Sequence, residues 1–160
     1  MIVVEPIGWI RAERSETDDD FWGGAECRIE LADRYGADAL QGIEEFSHAE
    51  ILFLFHHVEE QGVVRGARHP RNNPDWPRVG IFAQRAKNRP NRIGSTIVRI
   101  LRRDGRALVV AELDAVDGTP VLDIKPVIKE FLPKDEVRQP NWCSELMKQY
   151  WVRTVRTAAP

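Results

Sequence analysis

The hydrophobic residues of this chain fall into short runs that are separated by turn-forming residues. Most runs are of strand length and either alternate with polar positions or are apolar throughout, which is typical of β-strands. The pair Asp104-Gly105 between two such runs is a tight hairpin signal. The pattern predicts strands over residues 1–10, 26–31, 51–57, 62–67, 78–83, 95–103, 106–113 and 121–127.

Apolar residues recur at helical spacing in only two stretches. Residues 37–46 predict a short helix. Residues 141–155 predict the only long helix, because Trp142, Leu146 and Tyr150 belong to an apolar stripe along one side. Packing against the core is the default role of such a stripe.

The order of these elements predicts the fold class. Many short strands, tight turns and one late helix indicate a mainly β protein, a barrel or a sandwich with short helices. Strands do not alternate with helices and no G-x-G-x-x-G fingerprint is present, which argues against a Rossmann nucleotide site. We expect one domain over residues 1–160, with the strands in roughly residues 1–130.

Composition narrows the class of protein. With 160 residues, of which 42% are hydrophobic and 30% charged, the chain is typical of a soluble globular domain with its own core. No apolar run approaches the roughly 20 residues that span a bilayer, and the first residues lack a secretory leader. We therefore expect a cytoplasmic protein with no membrane partner, in which Cys27 and Cys143 are free thiols.

Residues 76–103 concentrate positive charge. They hold eight lysines and arginines and no acidic residue, whereas the whole chain nets −2. The cluster of Arg85, Lys87, Arg89 and Arg92 lies between two strand-like runs, which suits a rigid loop that binds an anion. The alternative is a solvated basic loop. The pI near 6.1 argues against bulk, non-specific nucleic-acid binding.

Two loops carry residues with further chemistry. The stretch Trp22-Gly23-Gly24 offers an aromatic stacking face and close backbone approach to a ligand, or else a plain turn with a core tryptophan. Asp114 and Asp117 supply two carboxylates in a turn-rich loop, where turn formation is the alternative role.

The histidines do not form a recognisable metal site. His56 and His57 follow each other on a strand and must point to opposite faces, so they cannot both bind one ion without distortion. Neither H-E-x-x-H nor C-x-x-C is present, and we predict no bound metal.

Four stretches carry the most specific signal in the sequence. They are EPIGWIR from Glu5, GIEEFSHAEILFLFH from Gly42, RVGIFAQRAKNRPNRIG from Arg78 and LDAVDGTPVLDIKP from Leu113. In this order they resemble the TsaA-like family, the TrmO family of tRNA methyltransferases. The family patterns read approximately IGxI, G-L-E-x-F-S-H-x-x-[IV]-L-F-x-F-H, RVGVFATRSPxRPNPIG and LDLLDGTPVLDIKPY. Four ordered motifs are more specific than any one of them.

The resemblance implies a small β-barrel that binds S-adenosyl-L-methionine without a Rossmann fold, usually as a homodimer. Its implied reaction is methylation of N6 of a modified adenosine in tRNA, or of another small methyl acceptor. The resemblance assigns cofactor contacts to Trp22, Gly23, Gly24, His56, His57, Arg85, Ser95, Asp114, Ala115, Val116 and Asp117. It assigns substrate contacts to Arg89, Asn91, Arg92 and Lys125. Asp114 and Asp117 are the candidate bases for the acceptor amine.

Two other functions stay open. One is a protein that binds or hydrolyses S-adenosylmethionine without a tRNA substrate, which the low pI favours. The other is a non-enzymatic module whose basic loop binds a protein or nucleic acid. Steep salt dependence of RNA binding without any need for cofactor would favour the last of these.

Overall fold

The computed structural model describes residues 1–153, and its main feature is a closed barrel of six antiparallel strands. The strands of the chain are β1 (Gly8–Arg11), β2 (Glu26–Leu31), β3 (His48–Leu54), β4 (Ala67–Arg68), β5 (Val79–Gly80), β6 (Ile93–Asp104), β7 (Ala107–Ala111) and β8 (Pro120–Pro126). The barrel order is β1-β2-β7-β6-β3-β8, and β4 pairs with β5 in a separate ribbon. The prediction of a mainly β barrel is confirmed.

Strand alternation places the core inside the barrel. Successive side chains of a strand point to opposite faces, so one face of each barrel strand fills the interior. In β3 the side chains of Ala49, Ile51 and Phe53 are buried, and the residues between them are partly exposed. Phe53 is 1% exposed, and full burial of such a side chain contributes about 1.5–3 kcal/mol.

The first strand begins later than its apolar residues predict. The side chains of Met1, Ile2, Val3 and Val4 are exposed, and β1 begins only at Gly8. Pro6 has no backbone N–H and cannot donate to a strand ladder. The strand predicted over residues 1–10 is therefore wrong over residues 1–7.

Short 3₁₀ turns replace several predicted elements. Residues 37–46 form two turns, Ala37–Leu40 and Ile43–Glu45, separated by Gly42 with a φ of +86°. The helix predicted there is wrong, because that φ interrupts a helical backbone. The strands predicted over 62–67 and 78–83 shorten to β4 and β5. The remaining turns are Glu60–Gly62, Pro70–Asn72, Ile81–Ala83, Pro90–Arg92, Lys129–Phe131 and Met147–Gln149.

The C-terminal part is helical only briefly. The single α-helix among the described residues, α1 (Asn141–Leu146), passes into the turn Met147–Gln149. The helix predicted over 141–155 is wrong in extent, because the backbone beyond Leu146 tightens into a 3₁₀ turn and then pairs with residues 21–23. Residues 154 and 155 of that prediction lie outside the described residues.

Two smaller expectations concern thiols and membranes. Cys27 and Cys143 are free, as expected, with Cys27 buried in the core. Within residues 1–153, no helix has the length and apolar character that a membrane crossing requires.

Candidate functional site

The Asp114 carboxylate is the centre of the candidate site. Asp114 lies just beyond the end of β7, and both of its oxygens accept a hydrogen bond from a hydroxyl group. Thr96 Oγ1, on the inner face of β6, donates to Oδ1, and the Tyr150 hydroxyl donates to Oδ2. Two separate parts of the chain therefore hold this half-buried carboxylate in one orientation.

Arg85 lies beside this cluster. Its guanidinium donates to the backbone oxygen of Ser95, the residue before Thr96 on β6. Arg85 and Arg71 are close enough to the Tyr150 hydroxyl to oppose the rise in its pKa. Arg71 is neutralised by Asp20, which it contacts through two hydrogen bonds of 2.8 and 3.1 Å.

The Tyr150 hydroxyl remains protonated in this environment. Burial raises its pKa above the ordinary value of 10, and the negative charge of Asp114 together with the hydrogen bond raises it further. Tyr150 is therefore a hydrogen-bond donor to Asp114 throughout the neutral range.

The basic loop forms the rim of the site, and its cations bind carbonyl oxygens. Lys87 Nζ contacts Thr17 O at 3.3 Å, Arg89 Nη1 contacts Gln84 O at 2.7 Å, and Arg92 Nη1 contacts Val58 O at 2.7 Å. Within residues 1–153 no carboxylate lies within 4.0 Å of the side-chain nitrogens of Arg85, Lys87, Arg89 or Arg92. Among the described residues the positive charge of the loop therefore has no carboxylate partner, which leaves it available to an anion.

The Trp22 loop packs differently from the open stacking face that the sequence allows. The Trp22 ring is only 8% exposed, and the Arg14 guanidinium lies 3.4 Å from the ring centroid. Gly23 is also covered, since an added Cβ would stand 1.9 Å from the backbone oxygen of Trp151. This loop adjoins the site through its backbone contact with Tyr150, because Trp22 N donates to Tyr150 O at 2.7 Å.

His56 and His57 lie in the turn that follows β3, beside the basic loop, so the prediction that they point to opposite faces of a strand is wrong. Their ring centroids are 3.9 Å apart, and Phe55 N donates to Arg92 O at 2.8 Å. Burial lowers the pKa of His56, and the charge of His57 lowers it further. No hydrogen bond joins these rings to Asp114 within the described chain. Nor do residues 1–153 contain a cluster of three or more metal-ligating side chains.

The other expected contacts are distributed around the barrel. Asp117 supports a neighbouring loop, because its Oδ1 accepts the Ala12 N–H at 3.0 Å and its own N–H donates to Arg14 O at 2.8 Å. Ala115 and Val116 are buried beside Asp114. Lys125 pairs with Asp123 at 2.8 Å on β8, away from the Asp114 cluster in the strand order. Asn91 is exposed at the tip of the basic loop, with a φ of +64°.

Unusual backbone conformations surround the same cluster. Positive φ values occur at Phe21, Arg71, Asn72, Asn91, Arg92 and Glu112. These residues flank the Trp22 loop, the Arg71–Asp20 pair, the basic loop and Asp114. Non-glycine residues adopt this conformation only where their surroundings impose it, and they concentrate at functional sites. Their distribution independently points to this end of the barrel.

Sequence reasoning missed three residues of the cluster. Tyr150 belonged to an apolar stripe, Thr96 to a strand, and Arg71 to a proline-rich loop. The available signal was the hydroxyl of Tyr150, since a buried tyrosine hydroxyl nearly always has a polar partner. No local pattern identifies Thr96 as a neighbour of Asp114 or Arg71 as a neighbour of Tyr150.

Comparison with known proteins gives a consistent family assignment. Residues 17–131 match the family model described as the tRNA-methyltransferase O N-terminal domain. A probable S-adenosyl-L-methionine-binding protein of Pyrococcus abyssi is 36% identical over 148 residues, which cover 86% of this chain and 74% of that protein. The tRNA (adenine(37)-N6)-methyltransferase of Escherichia coli is 45% identical over 103 residues, which cover 61% and 43% of the two chains.

Solved structures agree with this assignment. A crystal structure of TrmO from Pseudomonas aeruginosa superposes with a TM-score of 0.70 at 32% identity, covering 88% of this chain and 61% of that one. The matched region thus spans less than half of the E. coli methyltransferase and about three fifths of the crystallised TrmO chain.

Proposed function

This chain belongs to the tRNA-methyltransferase O family, and we propose that it transfers a methyl group from S-adenosylmethionine to N6 of a modified adenosine in tRNA. The observation that carries the proposal is the fixed Asp114 carboxylate beside the unneutralised basic loop. Such a carboxylate can accept a hydrogen from an amine, and such a loop can bind the phosphates of RNA.

The charged groups of the site are complementary to those of S-adenosylmethionine. Arg85 offers a guanidinium with no carboxylate partner among residues 1–153, which suits the methionyl carboxylate. Asp114 offers a negative charge nearby, which suits the ammonium or sulfonium group. When bound, the cofactor supplies an electrophilic methyl group. Arg85, the Ser95 backbone and Asp114 would hold it, and positioning of the acceptor would provide most of the rate.

The acceptor is expected to meet the protein through two features. The N–H of its exocyclic amine would donate to Asp114, which has lone pairs left after its bonds to Thr96 and Tyr150. Its flanking phosphates would bind Arg89 and Arg92 on the rim, with Asn91 exposed between them. Asp114 is the preferred base, because its cluster lies beside Arg85, whereas Asp117 supports the neighbouring loop through the Ala12 N–H.

A homodimer is part of the proposal. On the outer face of β6, Ile93 and Ile97 are 40% and 50% exposed, and Phe82 nearby in sequence is 76% exposed. Ser95 lies between the two isoleucines on the same face of the strand. A second copy of this chain that covered these side chains would place the subunit contact next to the Arg85–Ser95 pair. Size-exclusion chromatography with light scattering should then give the mass of a dimer for the wild type and of a monomer for Ile97→Glu.

Calorimetric titration with S-adenosylmethionine tests the cofactor site. We expect micromolar binding by the wild type, loss of binding in Arg85→Ala, and no change in Arg138→Ala, which removes an exposed arginine elsewhere. Transfer of labelled methyl groups to tRNA, followed by nucleoside analysis, then tests the acceptor. Absence of cofactor binding by the wild type would refute the proposal.

The same experiments separate the alternative functions. Binding or cleavage of S-adenosylmethionine without methylated RNA would indicate a protein with no tRNA substrate, as the net charge of −2 favours. RNA binding that needs no cofactor and falls steeply with salt would indicate a non-enzymatic module.

A further inference from the structure

A C-terminal strap, residues 141–153, completes the candidate site from outside the family-matched segment, which ends at residue 131. The strap lies along residues 21–23. Phe21 N donates to Gln149 O at 3.1 Å, and Trp22 N donates to Tyr150 O at 2.7 Å. Gly23 and Arg153 form a parallel bridge.

The strap is anchored at both ends and tightly packed. Near its start, Trp76 Nε1 donates to the Glu145 carboxylate at 2.8 Å. Near its end, the Trp151 carbonyl fills the space that a side chain at Gly23 would need. A lid that opened in each cycle would have to break these contacts together. The geometry therefore describes a fixed wall of the site.

The strap delivers one polar group to the Asp114 cluster, the Tyr150 hydroxyl. This hydroxyl and that of Thr96 bind different oxygens of Asp114, so the two contacts together fix the rotation of the carboxylate. The Tyr150 ring is itself held by an edge-to-face contact with Trp151, with ring centroids 4.9 Å apart. Each Asp114 oxygen still has a lone pair for a ligand.

We propose that Tyr150 is a positioning residue that holds Asp114 in the orientation in which it accepts the proton of the acceptor amine. That proton is lost as the N–C bond to the methyl group forms and the S–C bond breaks, which releases S-adenosylhomocysteine. This role rests on the proposed function, since it concerns the same carboxylate. Tyr150 acts through Asp114 and does not itself contact the reacting atoms. The hydroxyl is the essential part of the side chain, because the ring packing is available to phenylalanine as well.

The test compares Tyr150→Phe with Tyr35→Phe, which removes the only other tyrosine hydroxyl of the chain, beside an apolar cleft away from Asp114. Methyl transfer to tRNA is measured at saturating cofactor. We expect kcat to fall 10- to 100-fold in Tyr150→Phe, as for groups that orient a functional ligand, with a smaller loss of cofactor affinity, because Asp114 would also hold the cofactor. Tyr35→Phe should match the wild type.

A double-mutant cycle with Asp114→Asn separates positioning from general packing. If Tyr150 acts through Asp114, the tyrosine substitution has little further effect once the carboxylate is gone. The same loss of rate in both backgrounds would overturn the proposal. A rate for Tyr150→Phe equal to that of the wild type would also overturn the proposal. A faster rate would overturn it too, because the hydroxyl would then hinder methyl transfer.

A second readout does not depend on activity. Ultraviolet titration should show that Asp114→Asn brings the ionisation of Tyr150 to lower pH, because the charge of Asp114 and its hydrogen bond raise the pKa of Tyr150. An ionisation of Tyr150 that Asp114→Asn leaves unchanged would overturn the contact. A wild type that transfers no methyl group would overturn the proposed function and the role of Tyr150 with it, whereas equal rates for wild type and Tyr150→Phe would overturn only the latter.

Discussion

Replacing Gly23 by alanine should detach the C-terminal strap from the Trp22 loop. The added Cβ would stand 1.9 Å from the Trp151 carbonyl oxygen and 2.7 Å from its carbon, whereas ordinary contacts begin at 3.4 Å. The two backbones would have to separate by about 1.5 Å, the difference between 3.4 and 1.9 Å. The clash is with backbone atoms, so no side-chain rotation can relieve it.

The expected loss follows from the contacts that this separation breaks. Two backbone hydrogen bonds, from Phe21 to Gln149 and from Trp22 to Tyr150, lie immediately before the clash in both segments. Each hydrogen bond contributes about 1 kcal/mol, and some strain would remain in the variant. The free energy of unfolding should therefore fall by about 1–3 kcal/mol. Gly66→Ala is the matched control, because its added Cβ meets nothing within 4 Å.

Urea unfolding of the two variants measures this difference. Amide hydrogen exchange at residues 149–153 locates it, since strap amides should exchange faster only in Gly23→Ala. Equal midpoints for Gly23→Ala and Gly66→Ala, with unchanged exchange in the strap, would refute the packing described for this segment.

Three further predictions concern buried and charged groups. Burial and the charge of Asp114 raise the pKa of Cys27 from 9.0 to about 11. Between these pH values the thiol ionises only in the unfolded chain, so the free energy of unfolding should fall by up to about 2–3 kcal/mol as the pH rises from 9 to 11. Urea unfolding of Cys27→Ala should show a weaker dependence of stability on pH over this range. His57→Gln should raise the pKa of His56, and an unchanged NMR titration would contradict the proximity of the rings. Arg14→Met removes four hydrogen bonds to loop carbonyls and the contact with Trp22, and it should lower the free energy of unfolding by about 1–3 kcal/mol. An unchanged thermal transition would contradict a stabilising role for Arg14 in this loop.

The barrel was predictable because its strands repeat a local pattern. The alternation in residues 26–31 and the hairpin signal at Asp104-Gly105 report directly which side chains face the core. The structure pairs Asp104 with Ala107 at that hairpin. Periodicity alone misjudged residues 37–46, where one residue with a left-handed φ divides the expected helix into two turns.

The candidate site was predictable only in part. Arg85 and Ser95 belong to or adjoin one sequence motif and Asp114 belongs to another, and these residues lie close to one another in the structure. The partner of Asp114 in the strap was not predictable, because Tyr150 has the spacing of a packing residue. Its role depends on where the chain turns after α1, and that turn is set by contacts with residues 21–23, which are distant in sequence.

The strap also affects the order in which parts of the protein can fold during synthesis. Its contacts join the Trp22 loop to nearly the last described residues, so they close a loop almost as long as the chain. During synthesis the barrel strands leave the ribosome well before Tyr150 does. A nascent chain can therefore fold its barrel while the Asp114 carboxylate still lacks one of its two donors. A chain translated only as far as the barrel strands would lack the hydrogen bond that Tyr150 donates to Asp114.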